Sequence, residues 1–316
     1  MKFLCFPLAM LLWFGAYCQV ATQNSSPTKY FKPSVILRKA IEDKDDKDKP
    51  ATLSLTFPKG KENSFLINAG LGVSLLWTKV TRNTGSTAQR QRWLELIPSL
   101  VYNRNTEIEK IQNNIKGVLA ATYLKGHIDT SSKTHSFFKA YPTLQYMRNK
   151  VDTTSSYFAT AYFTWVLKEK GFMLSNYWAL GNSGIDIFLS PALGIEYQDR
   201  YEVKKPTQAG TVTRFYYGGD FRIAINIGKE EIRSLNPKAF EMILTYAGRK
   251  ELSSTMQEKE GDLYLFKSEF AVYPLLTDKV SFSLLRSDGA DPIAALPKQE
   301  FWQFAIKLKL DYPLGK

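Results

Sequence analysis

Cysteine is almost missing from this sequence, and its scarcity excludes several kinds of chemistry. The 316 residues include two cysteines, Cys5 and Cys18, and both lie in the N-terminal stretch 1–18 that we predict to be removed as a signal peptide. The mature chain would then contain no cysteine, so disulfide bonds, thiol catalysis and cysteine-bound metals are excluded. Also missing after the N-terminus is any run approaching the ~18 apolar residues of a transmembrane helix, which excludes helical membrane spans.

Catalytic signatures are equally sparse. The two histidines, His127 and His135, lie in a predicted polar connection beyond the strand ends, together with Ser131, Ser132 and Ser136. The sequence offers no third polar group that would orient a catalytic Ser–His pair. No glycine-rich phosphate loop and no convincing pair of glycosidase carboxylates is present. We therefore expect a protein that is not an enzyme and that holds no metal and no cofactor, with a lipid-modifying enzyme as a remote alternative.

The N-terminus has the three parts of a signal peptide. Lys2 provides the charged start, Phe3–Phe14 is the apolar core, and Ala16-Tyr17-Cys18 has the small-x-small form of a cleavage site. Cleavage there would make Gln19 the first residue of the mature, exported protein.

The next segment, residues 19–50, is polar and includes the mixed-charge run Glu42–Lys49. Such a composition has little capacity to bury a core, so we predict a disordered leader. Residues 51–316 are then predicted to form one folded domain. The whole sequence has a formal charge of +12 and a pI of about 9.4. In an exported protein this basic balance favours lipopolysaccharide phosphates and acidic lipid headgroups as neighbours rather than nucleic acid, or simply solvates the loops.

The stretch Thr213–Gly228 determines our interpretation of the fold. Its odd positions from Phe215 onward are apolar apart from Gly219, whereas its even positions, which include Asp220 and Arg222, are mostly polar. A β-strand sends successive side chains to opposite faces, and this run is long for a soluble strand. The pattern favours a tilted strand that crosses a bilayer with one face to lipid and the other to a lumen.

Alternating runs of this kind recur through the domain and predict an all-β fold, a single antiparallel transmembrane β-barrel of about 12 strands (range 10–14). Besides Thr213–Gly228, the predicted strands are Thr52–Phe57, Ser64–Trp77, Arg92–Asn103, Asn114–Lys125, Phe137–Met147, Tyr157–Lys168, Ile185–Tyr197, Phe240–Arg249, Asp262–Leu276, Lys279–Arg286 and Glu300–Tyr312. Phe172–Leu180 is a thirteenth candidate. Because bacterial single-chain barrels have even strand numbers, either Thr52–Phe57 or Phe172–Leu180 must be wrong, and the pattern does not choose between them.

Connection lengths predict the orientation of the barrel. The tight connection Thr277-Asp278 would be periplasmic, because short turns lie on that side. Arg200–Gly210, Lys250–Gly261 and Arg286–Gln299 are long and polar, and they would be extracellular.

Two motifs resemble those of outer-membrane β-barrel proteins of the Bacteroidota. They are Tyr157–Trp165 followed by Leu167-Lys168-Glu169-Lys170-Gly171, and Pro191-Ala192-Leu193-Gly194-Ile195-Glu196-Tyr197. The resemblance covers roughly Ala51–Tyr312. It implies an outer-membrane location, contact with outer-membrane lipid and lipopolysaccharide, and insertion by the barrel-assembly machinery, but no particular activity. In such barrels a final aromatic residue is read during assembly, whereas here Tyr312 is followed by four more residues.

Placing each apolar row outward leaves a row of charges in the lumen. The inward candidates are Glu95, Lys116, Lys139, Lys168, Asp186, Glu196, Arg214, Asp220, Arg222, Glu241, Lys267, Glu269, Lys307, Lys309 and Asp311, with Asn226 beside them. Eight bases and seven acids are close to balance. They would either brace a filled lumen with ion pairs or line a narrow conduit that selects a small polar solute. Asp220 and Arg222 are ~7 Å apart along one face, close enough to pair.

Aromatic residues fall toward the predicted strand ends, as in the interfacial girdles of membrane barrels. They are Trp77, Tyr102, Tyr123, Tyr146, Tyr197, Tyr246, Trp302 and Tyr312. The function we expect is passage or binding of a small polar solute. The alternatives are a non-conducting structural, anchoring or secretion component and, if the chain is not in a membrane, a soluble β-sandwich.

Overall fold

The chain folds as long antiparallel strands in one sheet, as its period-two pattern predicts. The computed structural model describes residues 28–38, 51–56, 64–82, 88–105, 112–129, 134–150, 153–169, 172–175, 177–180, 184–201, 203, 205–227, 238–274, 280–293, 296–308 and 310–313. Within these ranges the one helical element is a single 3-10 turn, Pro206–Gln208. No helix in this part of the chain is long and apolar enough to cross a membrane. The predicted signal peptide, 1–18, lies outside the described residues.

The described strands are close to the predicted ones, and five of the twelve are longer at both ends. In chain order they are β1 (Thr28–Arg38), β2 (Ala51–Thr56), β3 (Ser64–Arg82), β4 (Ala88–Asn105), β5 (Gln112–Asp129), β6 (Thr134–Asn149), β7 (Thr154–Glu169), β8 (Phe172–Leu174), β9 (Tyr177–Ala179), β10 (Ile185–Tyr201), β11 (Gly210–Asn226), β12 (Lys238–Ser254), β13 (Leu263–Val272), β14 (Val280–Asp291), β15 (Leu296–Leu308) and β16 (Leu310–Pro313).

Pairing along the sheet returns to the strand where it starts. From β3 it runs through β4, β5, β6, β7, β10, β11, β12, β13, β14 and β15 to β2, which pairs with β3 again. In the described part of the chain these pairings define twelve positions around a barrel, the number that the sequence predicts. Thr52–Phe57 is therefore a wall strand, since Leu53 pairs with Ile67 on one side and Ile306 on the other.

One position around the ring is shared by two segments. On the same edge of β3, β1 pairs with Gly70–Val80 and β2 pairs with Ser64–Asn68. The prediction of a disordered leader is thus wrong for Thr28–Arg38, which belongs to the sheet. Its sequence explains why, since Val35-Ile36-Leu37 supplies β-branched and apolar side chains that suit a strand. The remainder of the leader, including the charged run, lies outside the described residues.

Phe172–Leu180 is not a wall strand. It forms the two three-residue strands β8 and β9, which pair with β7 and β10 respectively. β7 and β10 pair directly as far as Phe163 and Leu193. Beyond that point β8 and β9 lie between the two strands, and Ser175 bridges the inward hydroxyls of Thr164 and Ser190 at 3.0 and 3.1 Å.

The connections divide into two ends of the barrel. Residues 106–111, 150–153, 202–209, 255–262 and 292–295 join strands at one end, which we call the Ile293 end. β2 and β3 are also joined at the Ile293 end, whereas β3 and β4, β5 and β6, β7 and β10, β11 and β12, and β13 and β14 are joined at the opposite end, where β16 also ends. The start of β1 lies there too, because Thr28 pairs with Val80 near the end of β3.

Burial is inverted relative to a soluble protein. The largest side chains that are fully buried are mostly polar and include Arg214, Lys116 and Glu196. Large hydrophobic side chains are exposed instead, for example Leu100 at 67% and Trp302 at 56%. Alternation therefore places the polar row inside the barrel and the apolar row outside, as predicted.

A bulge turns the chain inward at the end of β14. The register with β15 shifts between Gly289 and Asp291, and Gly289 has a φ of +114°. A Cβ on Gly289 would overlap the carbonyl oxygen of Tyr264 on the adjacent strand. Only glycine fits this backbone without strain.

We predict that Gly289→Ala lowers the free energy of unfolding by about 1–3 kcal/mol, because it adds a clash to a strained backbone. Urea unfolding in detergent micelles, followed by tryptophan fluorescence, measures this. Gly117→Ala is the control, since a Cβ there has no neighbour within 4 Å, and its effect should stay within ~0.5 kcal/mol. Equal effects of the two substitutions would contradict the role of the bulge.

Candidate functional site in the barrel interior

The predicted inward residues lie on the inner face wherever the structure describes their side chains. Those that are buried are Glu95, Lys116, Asp186, Glu196, Arg214, Asp220, Arg222 and Glu241. Those that are partly buried are Lys139, Lys168, Asn226, Lys267 and Glu269. The side chains of Lys307, Lys309 and Asp311 lie outside the described residues. The candidate row is thus one continuous inner surface, on which neighbouring strands bring charges together.

An ion pair between Glu196 and Arg249 lies at the centre of this surface. Arg249 Nε donates to both carboxylate oxygens of Glu196, at 3.0 and 2.9 Å, and the hydroxyl of Tyr162 donates to Oε1 at 2.6 Å. Glu196 is 1% exposed and Arg249 is 4% exposed. Two charges so deeply buried require each other, because either one alone would lose its hydration without compensation.

Arg249 also connects the wall to the chain that follows β14. Its Nη2 lies 3.4 Å from Asp291 Oδ1, and Lys267 Nζ lies 3.7 Å from Asp291 Oδ2. The guanidinium stands 5.5 Å from the ring centroid of Tyr216, within cation–π range. Arg249 therefore holds both the wall carboxylate Glu196 and the turn carboxylate Asp291.

The turn after Asp291 crosses the lumen. The carbonyl oxygen of Ile293 accepts hydrogen bonds from Lys116 Nζ at 3.0 Å and Gln145 Nε2 at 3.2 Å. Lys116 and Gln145 are on β5 and β6, whereas Asp291 ends β14, close to the opposite side of the twelve-position ring. The Ile293 side chain packs against the buried cluster that includes Tyr141. Both walls thus hold this turn, and it obstructs the interior at that level.

A second connection also reaches inward at the Ile293 end. Glu260, between β12 and β13, accepts from Arg200 Nη1 at 2.5 Å and pairs with Arg214 Nη2. Arg214 Nη1 also donates to Gln198 Oε1 at 3.1 Å. One loop carboxylate therefore pairs with two arginines of the wall. The same loop is held from outside the lumen, since the backbone N–H of Glu258 donates to the carbonyl oxygen of Thr207 at 3.0 Å.

The middle of the barrel has a smaller polar group. Arg222 Nη2 lies 3.3 Å from Asp220 Oδ2, and Thr245 donates to Asp220 Oδ1 at 2.6 Å. The predicted pairing of Asp220 with Arg222 is thus confirmed.

Polar groups continue toward the opposite end. Asn226 donates to Asp186 at 2.7 Å, and Glu241 accepts from Tyr273 at 2.7 Å and from Lys238 at 3.2 Å. The interior is therefore polar through most of its length. In the described part of the chain, two buried apolar clusters interrupt the polar surface. One, on β4 and β5, is formed by Ile97, Val101, Val118 and Ala120, and the other includes Tyr141 and Tyr216.

Sequence reasoning missed several participants. Arg249 shares the odd-numbered face of β12 with Glu241, so strand parity alone could have identified it. Glu260 and Ile293 lie in connections, where no period assigns a direction to the side chain. Their partners are far away in the sequence, and only the folded ring brings them together.

The histidines are placed differently from the prediction. Both lie within strands rather than beyond their ends, because β5 and β6 extend further than the apolar pattern. His127 pairs in register with Ser136. Its side chain is exposed on the outer face. Among the described residues, no group of three or more metal-ligating side chains of the His, Cys, Asp or Glu type comes together.

The predicted aromatic residues lie on the outer face of the barrel. Trp77, Tyr146, Tyr246 and Trp302 are 37–56% exposed. Tyr102, Tyr123 and Tyr197 are partly buried on the same outer face, and the side chain of Tyr312 lies outside the described residues.

Comparisons with known proteins find similarity at the level of coarse shape. No protein-family model matches the chain, and no curated protein matches it. Among solved structures, the translocator domain of autotransporter NalP from Neisseria meningitidis aligns with a TM-score of 0.40 and 8% identity over 98% of this chain and 95% of that one. The beta domain of the Bordetella autotransporter BrkA gives 0.35 and 8%, over 90% and 98%. A bacterial polysaccharide outer membrane secretin gives 0.35 and 5%, over 90% and 99%. Such low scores carry no argument about this chain.

We predict that Arg249→Leu destabilises the fold by about 3–5 kcal/mol, because it leaves Glu196 buried without its cation. Urea unfolding in micelles measures the loss. The double variant Glu196→Leu/Arg249→Leu should recover part of it, since no unpaired charge remains at that position. Arg286→Gln breaks a pair with Glu300 whose side chains are 44% and 59% exposed, and it should cost no more than ~1 kcal/mol. A similar loss for Arg249→Leu and Arg286→Gln would contradict the central role of the buried pair.

Proposed function

We propose that this protein is an outer-membrane β-barrel of the Bacteroidota type, whose interior is a narrow passage for small polar solutes that is closed at rest. The exposed apolar side chains and the buried polar side chains are the observation that supports a membrane location. Soluble monomers rarely expose contiguous apolar patches beyond a few hundred Å². Here apolar side chains cover the outer face of strand after strand, and lipid is the solvent that favours such a surface.

The exterior aromatic residues support a bilayer around the barrel, because Trp and Tyr side chains are enriched at membrane–water interfaces. The predicted orientation is not supported by the connection lengths, because four residues join β14 to β15 at the Ile293 end whereas seven join β13 to β14 at the opposite end. The basic side chains would then lie among lipid headgroups and lipopolysaccharide phosphates. The barrel-assembly machinery would insert the chain after export.

The passage part of the proposal follows from how the interior is closed. Twelve strands lie between the eight-stranded barrel that side chains fill and the sixteen-stranded porin that leaves an aqueous channel. The obstruction includes one turn, which is held from the β5–β6 side by two hydrogen bonds to the carbonyl oxygen of Ile293. Such bonds contribute about 1–3 kcal/mol each, the larger value applying to the charged Lys116. A turn held in this way can withdraw without unfolding the wall.

A non-conducting structural barrel is the second candidate, and the paired interior favours it. The carboxylate of Glu196 is satisfied by Arg249 and Tyr162, and Ile97 with its apolar neighbours fills part of the inner face. In that case the interior ion pairs stabilise the barrel wall, and the loops bind another partner.

We predict that the expressed protein fractionates with the outer membrane of a Gram-negative host and that its mature N-terminus is Gln19. Separation of the membranes on a sucrose gradient and intact-mass measurement test this. Recovery in the soluble periplasm would contradict the membrane proposal, and a retained N-terminal stretch would contradict the predicted cleavage.

We predict that the wild-type protein in planar lipid bilayers is mostly closed, with rare, small openings. The double variant Lys116→Met/Gln145→Leu removes both hydrogen bonds to Ile293. It should shift the balance toward open by at least ~2 kcal/mol, which is about thirty-fold in the open-to-closed ratio. Lys250→Met is the matched control, because this lysine is exposed on the outer face. Silence of both the wild type and the double variant, with folded protein present, would favour the structural barrel.

A further inference from the structure

A row of three asparagines crosses the inner face near the Ile293 end. Asn103 on β4 pairs in register with Asn114 on β5, which pairs with Asn149 on β6. Because directly paired residues of adjacent strands have their side chains on the same face, the three amides form one ladder. Neighbouring strands are 4.7–4.9 Å apart, so the ladder spans about 10 Å.

The ladder has hydrogen-bonding atoms that nothing in the structure satisfies. Asn114 is 0% exposed, yet neither its amide nitrogen nor its amide oxygen has a partner. Asn103 Oδ1 is also buried without a partner. Two nearby side chains add to the set, since Ser156 Oγ and Gln145 Oε1 are unsatisfied as well. Buried polar groups are normally paired, so a cluster of unpaired ones needs an explanation.

The identity of the unpaired atoms restricts what could satisfy them. Three amide oxygens need donors, the nitrogen of Asn114 needs an acceptor, and the hydroxyl of Ser156 takes either. A carboxylate or phosphate supplies acceptors only. An ammonium supplies donors only, and Lys116, two residues from Asn114 on the same face, would repel it. Hydroxyl groups supply both donors and acceptors.

We propose that the asparagine ladder binds a small, neutral, polyhydroxylated solute. This rests on the proposed function in one respect, since it names the class of solute that the interior admits. Asn114 is fully buried in the closed state, so we expect a solute to reach it only when the turn held by Lys116, two residues along β5, withdraws. Lys116 and Gln145, which hold its carbonyl, lie deeper along the same strands than the ladder. The ladder therefore lies between the Ile293 end and the level at which the turn is anchored.

Binding and opening are linked in this arrangement. The closed state leaves the amide of Asn114 and the amide oxygen of Asn103 unpaired, and a bound solute would pair them, so the solute favours the state in which the site has room for it. A ligand shifts an equilibrium only by its difference in affinity for the two states. Weakening the turn at its other anchor, Asp291, should therefore raise the apparent affinity for the solute.

The test is saturation-transfer NMR with glucose as the probe and the full-length mature protein folded in detergent micelles. We expect transfer to glucose with the wild type, loss of most of it with Asn114→Leu, and a larger signal with Asp291→Asn. Asn113→Leu is the matched control, because it makes the same change one residue earlier on the outer face and should keep the wild-type signal. Succinate and putrescine, an acceptor-only and a donor-only probe, should give none.

Each outcome bears on the proposal. Three results would overturn it. They are no transfer to glucose with both the wild type and Asp291→Asn, a signal with Asn114→Leu equal to that of the wild type, and binding of succinate instead of glucose. If Asn114→Leu fails to fold, as judged by heat-dependent gel mobility, Asn103→Leu replaces it with the same expectation. Because binding is measured without a bilayer, it is tested separately from conductance. Glucose binding by a protein that never conducts would contradict the proposed passage and support the ladder as a binding site. Conductance without glucose binding would support the proposed passage and contradict the ladder as a binding site.

Discussion

The interior of this barrel depends on the contact between Arg249 and Glu196. Neither charge tolerates burial alone, so β10 and β12 must keep the two side chains at the same level, with β11 between them. A slip of one residue would turn a whole row of side chains to the other face. The ion pair therefore helps to fix the register of three neighbouring strands. The same guanidinium reaches Asp291, so the contact that fixes the wall also positions the turn that obstructs the lumen.

The amino-acid composition explains where two segments of the chain share one position of the ring. On one edge of β3, pairing stops at Arg38 and resumes at Ala51. The run Glu42–Lys49 between these positions consists of eight charged residues. It has no apolar side chain to place on the outer face, so it cannot extend the apolar row that the strands on either side maintain. One wall position is therefore supplied by two segments, and the sheet keeps twelve positions around the ring.

How much the sequence could predict depends on the range of each interaction. A period of two is a local signal, and it identified the wall strands and the inward direction of residues such as Asp220 and Arg222. The short apolar runs Thr52–Phe57 and Phe172–Leu180 looked alike, because only pairing partners distant in the chain separate a wall strand from an inserted one. The inward path of Ile293 was not predictable for the same reason. It requires the bulge at Gly289 and the donors of the far wall, and none of these leaves a periodic pattern.

Both walls that meet at the Ile293 turn contain buried side-chain atoms without a hydrogen-bond partner. On the β10–β12 side the carboxylate of Glu196 has its partners, but Arg249 Nη1 and Arg214 Nε are buried without one. On the β4–β6 side Asn114 has neither of its hydrogen bonds, and each unmade bond in a buried place costs free energy. An arrangement built only to fill the lumen would place apolar side chains beside Ile97 and Val118, where amides stand instead. The unpaired amide of Asn114 at this level therefore favours an interior that binds and releases a solute.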